Sequence, residues 1–293
     1  MDERITEILE DFKFFNGEYK RDLVDQALEL KDEISPHLIQ ILESVRDNPE
    51  PYLINDIYFD HIYAFMLLGY FEDPKAHDVI IDIFSLPDDI PSDLFGDSVT
   101  ENLPEILIKT CGGSLARIKE LILNKDAYDY CRTSAIHALV LAVVEGYEQR
   151  ESVLSFLCGL FTGKEADIAS DFWGLLAMYV LDLYPEECLE TIKDAYDNAL
   201  ISPGMVGYAS FEKALEDGKQ KSLYDLEQHY KHRSKDNFHE SMSWWACFNQ
   251  DNVGRPNAKL QIASFNQAKP IKSPKKKKKK KRKMAKKSRR KNR

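Results

Sequence analysis

Apolar residues recur at helical spacing through most of the first 250 positions. Leu38, Ile39, Leu42 and Val45 form one stripe, and Val79, Ile80, Ile83 and Phe84 form another. Leu115, Ile118 and Ile122, then Leu189, Ile192, Tyr196 and Ala199, repeat the pattern. Between these amphipathic stretches lie segments that are apolar on nearly every face, at 57–71, 133–144 and 172–183. A helix without a polar side must be buried on most of its surface. Amphipathic helices laid against uniformly apolar ones therefore predict stacked antiparallel pairs, each covering its neighbour.

The starts of these segments set a period. Ser35-Pro36 and Asp73-Pro74 each place a capping side chain before a proline, whose missing N–H costs nothing in the first helical turn. Tyr184-Pro185-Glu186-Glu187 repeats the proline and adds two acids where the helix dipole favours them. Weaker starts fall at Ser114, after Gly112-Gly113, near Arg150, after Gly146, and near Lys219, after Gly218. The series 36, 74, 114, 150, 185 and 219 steps by 34 to 40 residues, the period of a helical-repeat array. The expected fold is all-α, a right-handed α-solenoid of five or six HEAT-like helix pairs over residues 1–250. Its one long irregular insertion runs from Leu86 to Asp97, where Pro87, Pro91 and Gly96 are expected to stop helix formation.

Composition agrees with helices and adds a charge asymmetry. Glycine and proline together number 25 of 293 residues, about 9% against a usual ~12%. All 49 acidic residues lie at or before Asp251, with 21 of the 40 Lys and Arg, so that part carries −28. Residues 252–293 hold the other 19 bases and no acid. Collagen, a disulfide miniprotein and a wholly disordered chain are excluded by these numbers. Cys111, Cys131, Cys158, Cys188 and Cys247 are odd in number, widely spaced and never paired as C-x-x-C, the usage of buried reduced thiols in a cytoplasmic protein. The acidic start Met1-Asp2-Glu3-Arg4 is not a secretory signal, and the longest apolar run, 135–144, is too short to span a bilayer, so a soluble protein is expected.

The run Ile62-Tyr63-Ala64-Phe65-Met66-Leu67-Leu68-Gly69-Tyr70-Phe71-Glu72-Asp73-Pro74-Lys75-Ala76 resembles a HEAT-type repeat of helix, Asp-Pro turn and helix. Ser85-Leu86-Pro87 followed by Phe95-Gly96-Asp97 and Thr100-Glu101, then Leu181-Asp182-Leu183-Tyr184-Pro185-Glu186 and Trp244-Trp245-Ala246-Cys247-Phe248, resemble an uncharacterised bacterial domain-of-unknown-function family over roughly residues 5–248. The resemblance implies a helical-repeat fold and lends no reaction. Some relatives carry, after the Trp-Trp block, a short cysteine-rich zinc motif similar to the one ending the secretion motor. No cysteine follows Cys247 in this chain, so zinc is not carried over.

Candidate chemistry in the acidic part is sparse. His229, His232, His239 and Cys247 are ligand types for zinc, but only the His-x-x-His pair has a defensible spacing, and surface histidines are the expected reading. Asp88, Asp89, Asp93, Asp97 and Glu101 crowd the insertion; prolines divide the run and no D-x-D-x-D-G loop is present, so it reads as a solvated acidic segment or a partner surface. Cys111 lies where a helix should end, and the dipole there disfavours a thiolate. Gly163-Lys164 lacks the flanking residues of a phosphate-binding loop. Trp244, Trp245 and Phe248 are expected to cap the last repeat. No catalytic residue, cofactor or metal is assigned.

The strongest functional signal is the tail, 251–293. Lys275, Lys276, Lys277, Lys278, Lys279, Lys280, Lys281, Arg282 and Lys283 are continuous, and Lys286, Lys287, Arg289, Arg290, Lys291 and Arg293 follow. Such a run cannot bury apolar surface and is expected to be disordered when free. It lacks the apolar anchors of a membrane-surface helix, which points to nucleic acid, RNA, DNA or the ribosome, as its partner. A nuclear address signal is the rival use of the same residues. The sequence thus predicts a non-catalytic adaptor that binds a protein partner through the helical surface and nucleic acid through the tail. The alternative is an enzyme with a carboxylate site near 86–101, for which a deep pocket lined by His61 and His77 would be the sign.

Overall fold

The computed structural model describes residues 2–55, 57–231 and 237–248. Among these residues the protein is all-α, with seventeen α-helices and no strand. The first half contains α1 (Glu3–Lys13), α2 (Arg21–Glu29), α3 (Lys31–Asp47), α4 (Glu50–Ile54), α5 (Asp60–Phe71), α6 (His77–Phe84), α7 (Ile90–Phe95), α8 (Ser98–Glu101) and α9 (Leu103–Thr110). The second contains α10 (Ala116–Leu123), α11 (Asp129–Val144), α12 (Arg150–Cys158), α13 (Phe172–Asp182), α14 (Leu189–Asp197), α15 (Tyr208–Asp217), α16 (Lys219–Lys231) and α17 (Phe238–Met242).

The uniformly apolar segments are α5, α11 and α13, and they are the interior. All of α5 is buried except Tyr70, and α11 buries eleven residues from Cys131 to Ala142. With α9 they form one row, α5 on α9, α9 on α11 and α11 on α13. The amphipathic helices α3, α6 and α10 cover that row, each turning its stripe inward. Packing within the row is close at Gly69, where an added Cβ would collide with the Ile106 side chain of α9.

Local chemistry explains the boundaries. The Asp73 carboxylate accepts from the Lys75 amide at 2.9 Å, and Pro74 opens the turn into α6. Gly112, Gly113 and Gly218 take positive φ before α10 and α16, as expected of residues that leave one helix for the next. Helix α12 starts at Arg150 and α16 at Lys219, where the sequence places them. Two expectations fail. Pro36 does not start a helix; it lies inside α3, which begins at Lys31, and the Ser35 hydroxyl donates to the Lys31 carbonyl one turn back at 2.7 Å. The 86–97 insertion is not irregular throughout, because Pro91 occupies the first turn of α7, where a proline is tolerated.

The cysteines need a correction as well. Cys158 and Cys188 form a disulfide across 30 residues, whereas Cys111 and Cys131 are buried free thiols. Helices adjacent in this stack are about that far apart in sequence, so a count of spacings carries no sign of the pair. Beside it, Arg150 donates from Nε to the Leu183 carbonyl at 2.6 Å, from Nη2 to the Tyr184 carbonyl, and to both carboxylate oxygens of Glu187 at 2.7 Å. The guanidinium holds the Glu187 carboxyl down at about 2.

Candidate functional site

After α13 the chain turns back along the interior row. Helix α15 meets α13 and α14, and α16 lies across α11 and α13. Phe238 of α17 packs edge-on to Tyr70 at the end of α5, and Phe248 reaches Phe15, Tyr19 and Phe59. The Trp-Trp block therefore does not cap the last repeat. It straps onto the first helices, with Trp245 stacked on Phe248 and Trp244 56% exposed.

The strap is pinned by His239, which is buried rather than at the surface. Its Nε2 lies 2.8 Å from Asp25 Oδ1 and its Nδ1 lies 2.8 Å from the Tyr19 hydroxyl. A carboxylate only accepts, so Nε2–H donates to Asp25, and in the neutral ring Nδ1 accepts the Tyr19 O–H. A hydroxyl, an imidazole and a carboxylate in line resemble a nucleophile with its base. Burial, however, pushes the Tyr19 phenol well up, against the direction a nucleophile needs. The relay fastens the strap. Its members are 214 and 220 residues apart, and no spacing rule could have joined them.

A second feature lies where α16 crosses α13. A half-open cleft of about 320 Å³ lies between the helices, lined by Leu181 and Asp182 on one side and by Ser222, Asp225, Leu226, His229 and Tyr230 on the other. Asp182 is half-buried, and among the described residues no group donates to it or pairs with it. Burial alone raises its carboxyl to about 6. At the edge of the same face His137 of α11 stacks on Tyr179 at 5.0 Å and meets Tyr230 at 5.3 Å.

The sites expected from sequence are not assembled in this way. Asp88, Asp93, Asp97 and Glu101 are exposed, Asp89 is half-buried, and among the described residues no three His, Cys, Asp or Glu are grouped to hold a metal. His61 and His77 are buried, and neither lines the cleft at Asp182 or the larger groove beside α3. His61 Nε2 meets the Leu94 carbonyl at 2.9 Å, and His77 Nδ1 meets the Thr110 hydroxyl at 3.0 Å. A larger groove of about 630 Å³ runs between α3 and the Glu72–Lys75 turn. Two of its charged side chains have partners, the Lys31 ammonium over the Phe71 ring and the Asp73 carboxylate on the Lys75 amide. His232 and the basic residues from Lys275 to Arg290 lie outside the described residues. No helix among the described residues is long and apolar enough to cross a membrane.

Comparison with known proteins gives a family and no activity. The chain is 31% identical over 211 residues to an uncharacterized protein of Chlamydia trachomatis serovar D, covering 72% of this chain and 84% of that one. It is 30% identical over the same length and shares to an uncharacterized protein of Chlamydia muridarum. No solved structure matches the chain. Residues 3–249 match the family described as "Protein of unknown function (DUF1186)", and from its first helix through the strap the chain belongs to that family.

Proposed function

We propose that this protein is a non-catalytic helical adaptor whose polybasic tail contacts nucleic acid. The observation that carries the reading is the segregation of charge. Nineteen Lys and Arg follow Asp251 with no acid among them, while the preceding part carries −28 and would repel a polyanion. Lysines in such a run neutralise phosphates and release counterions, and they read no base edges. The body is then left to bind protein. Asp88, Asp93, Asp97 and Glu101 are exposed along the α7–α8 segment and offer an acidic surface for that purpose.

The test is RNA and DNA binding across a salt series. Full-length protein is compared with a chain ending at Asn266 and with a full-length chain in which residues 275–283 are serine. If about 6–10 bases engage, affinity falls about 10³–10⁵-fold between 50 and 200 mM salt, with little sequence preference. Both altered chains lose that binding. Equal binding by all three, or none by the full-length chain at low salt, refutes the reading. An import assay with the tail fused to a reporter separates the address-signal alternative.

A further inference from the structure

Most large apolar side chains of the body are buried, and the exceptions are concentrated in one place. Of the twelve that stand in solvent among the described residues, four lie in two short segments. They are Phe14, just after α1 and 46% exposed, and Leu53, Ile54 and Ile57, at the end of α4 and beyond it, 38%, 75% and 46% exposed. Helix α4 itself buries no residue. The two segments are joined. Phe14 and Tyr58 face each other in an isolated antiparallel bridge, closed by the Phe15 amide donating to the Ile57 carbonyl at 2.7 Å and the Phe59 amide to the Lys13 carbonyl at 3.1 Å. The Phe14 and Tyr58 rings lie 5.3 Å apart, and Tyr58 lies 5.2 Å from Tyr52 of α4. An open apolar patch on so acidic a body marks an interaction surface.

We propose that this patch is a docking surface for the chain's own residues 258–266, so that the root of the polybasic run is anchored to the body. Phe248, the last described residue, sits on Phe15 and Phe59, the chain neighbours of Phe14 and Tyr58, so the described chain ends at the rim of the patch. Twelve residues lead from Phe248 to Leu260, a reach of up to about 40 Å. Six large apolar residues follow Asp251, and three of them, Leu260, Ile262 and Phe265, fall within six positions. The charges match as well. Arg255, Lys259, Lys269 and Lys272 flank that segment, which has no acid, while Glu50 of α4 and Asp93 of α7, which packs on α4, are exposed. Because the occupant is tethered, its effective concentration is high, and a contact of a few side chains suffices. The anchor precedes Lys275 and does not depend on what the basic run binds.

The test uses the full-length chain with the photo-cross-linker p-benzoylphenylalanine in place of Phe265, irradiated at high and low protein concentration. Cross-links are expected within one chain, to Phe14, to α4 or to Ile57, with a yield that does not change on dilution. Ile54→Glu, at an exposed position that the core does not use, is expected to lower that yield about tenfold while leaving the thermal unfolding midpoint in place. A second measurement needs no cross-linker. Replacing Leu260, Ile262 and Phe265 together by serine in the full chain is expected to speed amide exchange in α4 and at Ile57 about tenfold, with α5 and α11 unchanged. Cross-links only elsewhere on the body, or none, overturn the proposal. So do cross-links between chains that vanish on dilution, which would make a second copy the occupant, and exchange in α4 that ignores the triple change. The nucleic-acid reading fails separately: serine at 275–283 is expected to leave these cross-links intact.

Discussion

Helices α11 and α16 lie against each other and obey different rules. The first is apolar on every side and is enclosed by α9, α10 and α13; the second carries a polar majority and buries no residue fully. Stability in helical proteins comes mainly from packing of a face rather than from propensity. α11 therefore belongs to the cooperative core, whereas α16 is held by a few partial contacts and is free to respond to what surrounds it.

The sharpest way to break this contrast is to cut the interior. Leu139→Ala in α11, at a fully buried position, should cost about 2–5 kcal/mol of global stability in urea unfolding. A cost under 1 kcal/mol would mean that the interior row is not the core. Next comes Asp182. Its carboxyl titrates near 6 in the folded chain against an ordinary 3.8, so the folded state binds the proton more tightly. The resulting stability is fully present below about pH 3.8 and is lost as pH rises through about 6. Asp182→Asn should therefore stabilise the protein at pH 7.5 by up to about 3 kcal/mol, and by almost nothing at pH 4. A gain independent of pH would place the carboxylate in water. Gly69→Ala, which drives a methyl into Ile106, should cost about 1–3 kcal/mol, with partial recovery in Ile106→Val. The smallest effect is expected for Leu226→Ala in α16, within about 1 kcal/mol globally, but with faster amide exchange confined to α16.

The same contrast explains what was readable in the sequence. Uniformly apolar runs announce buried helices, so α5, α11 and α13 were legible, as were starts fixed by Asp73-Pro74 and Gly218. Pro36 misled because a proline in the first turns of a helix and one before its start look alike. Helix α9 was not singled out, because its eight residues lie between the proline-bearing insertion and Gly112-Gly113 and carry no start signal of the series. The pieces that make the candidate sites were almost invisible. Asp182 ends an apolar run and reads as the polar end of a helix, when the return of α16 partly covers it. Tyr19, Asp25 and His239 belong to segments that only the strap brings together, and the Cys158–Cys188 pair depends on two helices meeting in the stack.

The strap also bears on how the chain is made. Phe15, Tyr19 and Phe59 emerge early in synthesis, but Phe248, which covers them, comes ~190 residues later, roughly 10–40 s at about 5–20 residues per second. Helices α1 to α13 can stack on one another as they appear, through contacts close in sequence. The aromatic seat on the first helices cannot be completed in that order and stays open to solvent, or to a chaperone, until the last helix has passed. The nascent protein thus spends most of its synthesis with its beginning waiting for its end.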